Sequence, residues 1–200
     1  NLDGSISTGT ATTTFNYASG ATDPTSGQTQ FSQETVNADG SVTTATGTST
    51  LQQINGELLA SQTVSDSRTV NPDGTLIQGQ QITTYAFDNV NSPEATGGQT
   101  RFTQTTISDT GVTRTIGTST LGLSGGQLVT LETSSQSTEQ STESNQQEAS
   151  STDSTQQTDY SYGPSGSDPV SATTTFTSVT TTADGERTES SGVSTTTCAF

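Results

Sequence analysis

Twenty Asp and Glu residues stand against four Arg, with no His and no Lys, and this imbalance limits the chemistry the chain can perform. Paired carboxylates cleave glycosides when held about 5–9 Å apart with one pKa raised. Here the acids lie mostly in turns and polar tracts, where solvated charge is the simpler account. Nucleophilic catalysis by Ser or Cys needs an adjacent base, and without His or Lys the usual activators are missing. Zinc lacks its ligands for the same reason. Calcium fits better, because it takes oxygen ligands from exposed loops. The stretch "FDNVNSPE" gathers Asp88, Asn89, Asn91 and Glu94, and these are the metal-ligand candidates. Their spacing departs from the "DxDxDG" loop, and turn capping by Asp and Asn is the leading account. No catalytic or cofactor-binding residue is assigned. A non-enzymatic chain is expected.

The basic residues are Arg68, Arg101, Arg114 and Arg187, and the net charge is −16. Such a balance gives no basic patch for nucleic acid and no polybasic attraction to an anionic membrane. No apolar run approaches the length of a membrane helix or a signal-peptide core, so the chain reads as a mature soluble segment or a piece of one. The single cysteine, Cys198, has no internal partner, which leaves an intermolecular bridge as its alternative to an incidental thiol. Ser and Thr make up about 40% of the residues. Branched Thr suits a pleated strand, and both hydroxyls are acceptors for O-glycans. No Asn lies in an N-x-[ST] sequon.

Only 24% of the residues are hydrophobic, against about 45–50% apolar residues in ordinary globular domains. That composition suits disorder as well as order. An ordered form must draw on long backbone ladders and on contacts with neighbouring copies.

The chain repeats itself. "NLDGSISTGTATTTFNY" (1–17) lies without gaps over "NPDGTLIQGQQITTYAF" (71–87), a shift of 70 residues. "TVNADGSVTTATGTST", "TISDTGVTRTIGTST" and "TTTADGERTESSGVST" echo one another, and the strand before each centres on Phe31, Phe102 or Phe176. Loops containing Pro24, Pro93 and Pro169 follow the aromatic pairs, and aspartate-containing turns close on Gly40, Gly111 and Gly185. Three β repeats are therefore expected, at 1–70, 71–145 and 146–200, the last truncated. A fixed period of this size signals an elongated stacked array.

Between turns lie alternating runs without helical period, so the expected fold class is all-β, with about four long antiparallel strands per repeat. "NPDG" supplies a type I turn, "NADG" and "TADG" fit hairpins with a glycine bulge, and Asn55–Gly56 is a two-residue hairpin signal. In "IQGQQITTYAF", Ile77, Thr83, Tyr85 and Phe87 share one face. Residues 132–157 resemble a linker by composition, yet their counterpart is a hairpin, so a hairpin turning near Asn145 is expected. With so few large apolar groups, Phe15, Phe31, Tyr85, Phe87, Phe102, Tyr160 and Phe176 are core candidates.

The Thr/Ser-rich tandem repeats with Asp-Gly turns and no Lys or His resemble, as a class, the arrays of large secreted fibre and adhesin proteins. The pairs in "FNYASG", "TYAFDN" and "YSYGPSG" are also similar to tyrosine–aspartate repeats. The first resemblance implies an extracellular or cell-surface structural role and carries over no site residues. The expected partner is the chain itself, as a head-to-tail homopolymer in which the edge after the third repeat meets the start of the next copy near Cys198. Glycans or stacked copies would cover the Thr-lined faces. The alternative is an adhesin stalk or binding module for glycan, ice or another surface.

Overall fold

A computed structural model describes residues 4–88, 94–141, 150–163, 166 and 168–197. The protein is all-β: eleven antiparallel strands in one sheet, following one another in sequence order. Two compact units divide the chain at Thr100 and Arg101. The first holds β1 (Ile6–Tyr17), β2 (Pro24–Val36), β3 (Val42–Ile54), β4 (Glu57–Val70) and β5 (Leu76–Phe87). β6 (Ala95–Ser108) carries the division. The second holds β7 (Gly111–Ser124), β8 (Gln127–Ser141), β9 (Ser151–Tyr162), β10 (Pro169–Thr181) and β11 (Arg187–Thr197). No helix among the described residues is long and apolar enough to cross a membrane.

The turns behave as their residues dictate. Gly40 and Gly185 adopt φ of +85° and +88°, and each closes an Asp-Gly hairpin. Asn37 N–H donates to the Ser41 carbonyl and Gly40 N–H to the Asn37 carbonyl, both at 2.9 Å, which is a type I turn with a glycine bulge. The Asp side chain locks this loop: Asp39 Oδ1 accepts from Ser41 N–H at 2.9 Å, and Asp73 Oδ1 from Thr75 N–H at 2.9 Å. Asn55 and Gly56, at φ of 51° and 87°, form the two-residue hairpin between β3 and β4. Gly125 and Gly126 do the same between β7 and β8, at 56° and 81°. The turn ending on Gly111 differs from the other Asp turns. Only Asp109 and Thr110 separate β6 from β7, and Gly111 is nearly extended at φ 157°.

β8 and β9 pair antiparallel from Glu132↔Asp159 to Gln140↔Ser151, so the polar tract is a hairpin. Its expected turn at Asn145 lies outside the described residues, as does Cys198. The β3–β4 and β7–β8 ladders each shift register once, beside Leu51 and Leu121, leaving Ser61 and Leu131 as extra residues. These are β-bulges, which add a residue to one strand without losing the pairing beyond it.

The expected aromatic core is not formed. No hydrophobic residue is buried among the described residues. Phe15 and Phe176 are exposed, at 45% and 41%, whereas Phe31, Tyr85, Phe87, Phe102 and Tyr160 are half-buried. The reason is topological: every strand joins the same sheet, so no second sheet or helix faces the rings within either unit. The rings find glycines instead. Phe31 lies opposite Gly47 and Phe176 opposite Gly192 in the ladders. A Cβ on Gly47 would stand 2.7 Å from Phe31 Cε1, one on Gly117 2.8 Å from Phe102 Cε1, and one on Gly192 2.8 Å from Phe176 Cε1. Each ring covers the backbone of the next strand where a side chain is missing, which shields that ladder; Phe31 and Phe102 are half-buried by it, while Phe176 stays exposed.

Candidate functional site: two unlike faces

Side chains alternate across a strand, and residues directly opposite in a ladder share a face. Applied to the registers, this rule sorts each unit into two faces of different chemistry. In the first unit, Phe15, Tyr17, Phe31, Tyr85 and Phe87 all fall on one face, with Ile77, Thr83, Tyr85 and Phe87 together as the alternation predicts. No charged strand residue shares that face among the described residues. Glu34, Glu57, Asp66 and Arg68 all point to the other. The second unit is sorted alike. Phe102, Tyr160, Tyr162 and Phe176 share a face with one charged strand residue, Glu139. Arg101, Arg114, Glu132, Asp153, Asp159, Arg187 and Glu189 lie opposite.

The charged face also carries, in the first unit, an aliphatic row at the end nearest the Asp-Gly turns. Ile6, Val36, Val42, Val70 and Leu76 stand opposite one another across five strands.

Beside the Phe–Gly pairs, the aromatic face carries a row of hydroxyls running across the strands. In the first unit the row is Thr13, Thr29, Ser49, Thr63, Thr83 and Thr100. Alternate neighbours bond: Thr13 with Thr29, Ser49 with Thr63, and Thr83 with Thr100, each at 2.9 Å. The second unit has Ser119, Thr133, Thr158, Thr174 and Ser194. There Ser119 bonds Thr133 and Thr158 bonds Thr174, each at 3.0 Å. Pairs form at every second step because antiparallel ladders alternate close and wide side-chain spacings. Thr83, Thr100 and Thr158 are among the few buried side chains, at 7%, 8% and 7% exposure. Sequence reasoning missed this row. Its signal was the recurring Thr-x-Phe at Thr29, Thr100 and Thr174, matched by Gly-x-Ser at Gly47, Gly117 and Gly192.

No protein-family model, curated protein or solved structure matches the chain.

Among the described residues the carboxylates do not gather. Asp88 and Glu94 are exposed at the end of β5 and just before β6, while Asn89 and Asn91 lie outside the described residues. Among the described residues no group of three or more His, Cys, Asp or Glu comes together. The turn acids are tuned by their own loops. Asp39 is held below the ordinary carboxylate pKa by the backbone N–H and hydroxyl of Ser41, and Asp73 likewise by Thr75. The hydroxyl of Thr182 and then the N–H of Glu186 lower Asp184. Tyr162, whose hydroxyl donates to the Thr130 carbonyl, is raised by burial and by Tyr160. A depression of about 540 Å³ on the charged face of the second unit is lined by Arg101, Ile116, Thr118, Gln136 and Thr155. Arg101 is its single ionisable group, so it supplies no acid–base pair.

Proposed function

We propose that this chain is a structural component of an extracellular or cell-surface fibre, without enzymatic activity. It would be built from four-stranded repeats of about 70 residues at 1–70 and 71–145 and a truncated third at 146–200, and would polymerise through β contacts. The observation that carries this reading is the absence of any buried hydrophobic residue among the described residues, beneath ladders that pair strand after strand. Hydrophobic burial is the dominant favourable term in folding, at about 25 cal/mol per Å². A sheet that buries so little of its own apolar surface gains it from neighbours. The same Phe-over-Gly contact at Phe31, Phe102 and Phe176 supports repeated units. β1 and β11 each have one neighbour in the strand order, and such edges invite head-to-tail pairing between copies.

Electron microscopy and fibre diffraction of the purified chain test this. Filaments with a reflection near 4.8 Å are expected. A monodisperse monomer that keeps its strand signal at high concentration would sink the reading. The row of uncharged hydroxyls beside aromatic rings favours one second reading, a module that binds a hydroxyl-rich surface such as glycan or ice. Co-sedimentation with insoluble polysaccharide, and ice-recrystallisation assays, separate it from the first.

A further inference from the structure

We infer that the aromatic face is the docking face, and that its occupant is the same face of a second copy of this chain. The inference deepens the fibre reading and rests on it for the identity of the partner. Three observations carry it. The first is charge. At a net charge of −16, two copies repel, and burying an unpaired carboxylate between them would cost several kcal/mol. In the first unit the aromatic face offers no such carboxylate among the described strand residues, because Glu34, Glu57 and Asp66 lie on the opposite side. Stacked sheets sit about 10 Å apart, so aromatic-to-aromatic stacking leaves every strand charge of that unit on the outside.

The second observation is polar satisfaction. Hydroxyls on a face that becomes buried need partners there. The row from Thr13 to Thr100 already pairs within its own sheet, at 2.9 Å for each bonded pair. Each bonded pair keeps one hydroxyl hydrogen within its own sheet, so the face gives up fewer water bonds on docking than a row of separate hydroxyls would.

The third is area. β1 to β5 are 12 to 14 residues long. At about 3.3 Å per residue and about 4.8 Å between strands, that unit presents roughly 40 by 20 Å. This is about the 800 Å² per partner of a standard stable interface.

Thiol accessibility in the full chain tests the assignment. With Cys198→Ser as background, Ser65→Cys reports the aromatic face and Thr48→Cys the charged face. Both sites are half-buried on adjacent interior strands, so the two variants are matched. Each is labelled with a charged maleimide across a dilution series that spans assembly, followed by light scattering, with circular dichroism confirming strand content. Ser65→Cys is expected to react at least about tenfold more slowly when assembled, recovering on dilution, with Thr48→Cys unchanged. Protection of Thr48→Cys alone, or of both sites equally, would overturn the assignment. So would protection of Ser65→Cys that ignores concentration, or no protection of either site. Concentration-dependent protection of Ser65→Cys in particles that never elongate keeps the face-to-face contact and removes the fibre. Filaments with both sites reactive do the reverse.

Discussion

The two faces of this sheet are made from the same strands, often from neighbouring residues, yet they solve opposite problems. Arg101 and Phe102 are adjacent on β6 and point to opposite sides. On the charged side, Gln80 donates to Asp66 at 2.9 Å and Thr138 to Asp153 at 2.8 Å, while Arg187 meets Glu189 at 2.8 Å with both side chains well exposed. Contacts of this kind contribute little to stability and a great deal to solubility. On the aromatic side, a row of short hydroxyls pairs across the strands, and Phe31, Phe102 and Phe176 lie against glycine. Alternation alone thus gives one ribbon a side that tolerates water and a side that tolerates losing it.

The contrast is broken most severely by filling a glycine under a ring. Gly47→Ala places its Cβ against Phe31 and 2.5 Å from the Val64 carbonyl oxygen, a clash with backbone expected to cost about 1–3 kcal/mol in urea unfolding. The atoms nearest a Cβ on Gly192 all belong to the Phe176 ring, which can swing aside, so Gly192→Ala costs less. Adding Phe31→Ala to Gly47→Ala is expected to recover part of the loss, as coupled neighbours do. Additive effects would show that the ring does not rest on that glycine.

Removing the rings comes next. Phe31→Ala is expected to cost about 1–2 kcal/mol, roughly half the value for a fully buried side chain. Phe176→Ala, at 41% exposure, costs less. Equal losses would contradict the burial difference.

A milder change sharpens the comparison within the hydroxyl row. Thr83→Val leaves the buried Thr100 hydroxyl without its partner, for about 1 kcal/mol. Thr83→Val with Thr100→Val is nearer neutral, because both partners are then apolar. Thr13→Val, at an exposed position, changes little.

The smallest effect belongs to pH. Asp39, Asp73 and Asp184 have folded pKa values below their unfolded ones. Their contribution is therefore complete above the ordinary value of about 3.9 and disappears as pH falls through the lower folded values. Amide protection at Ser41 and Thr75, taken relative to the intrinsic exchange rate at each pH, should hold at pH 5 and fall below about pH 4. Asp39→Asn, which keeps an acceptor oxygen but cannot titrate, should flatten that dependence at Ser41.

Much of this was legible in the residues. Glycine and Asp punctuation marked the hairpins at Asn37–Gly40 and Asn55–Gly56, and period-two alternation placed Tyr85 and Phe87 on one face. The hairpin hidden in the Ser- and Gln-rich tract followed from its likeness to residues 62–81. Burial was not legible, because alternation says which side chains travel together and nothing about what covers them. Phe176 was expected inside for want of other apolar groups, but one sheet has no inside. The hydroxyl row was hidden for another reason. Its members, such as Thr29, Ser49 and Thr63, are far apart in sequence, and only the lengths of the intervening turns and the bulge at Ser61 bring them into line.

The placement of the arginines bears on how the protein survives. All four lie within strands, on β4, β6, β7 and β11, and there is no Lys. A trypsin-like protease must draw a stretch of chain, unpaired, into its cleft, so each cut site is masked until its strand leaves the ladder. Digestion at Arg101, midway along β6, therefore tracks opening of the sheet. Arg187, well exposed at the first position of β11, is expected to be cut first.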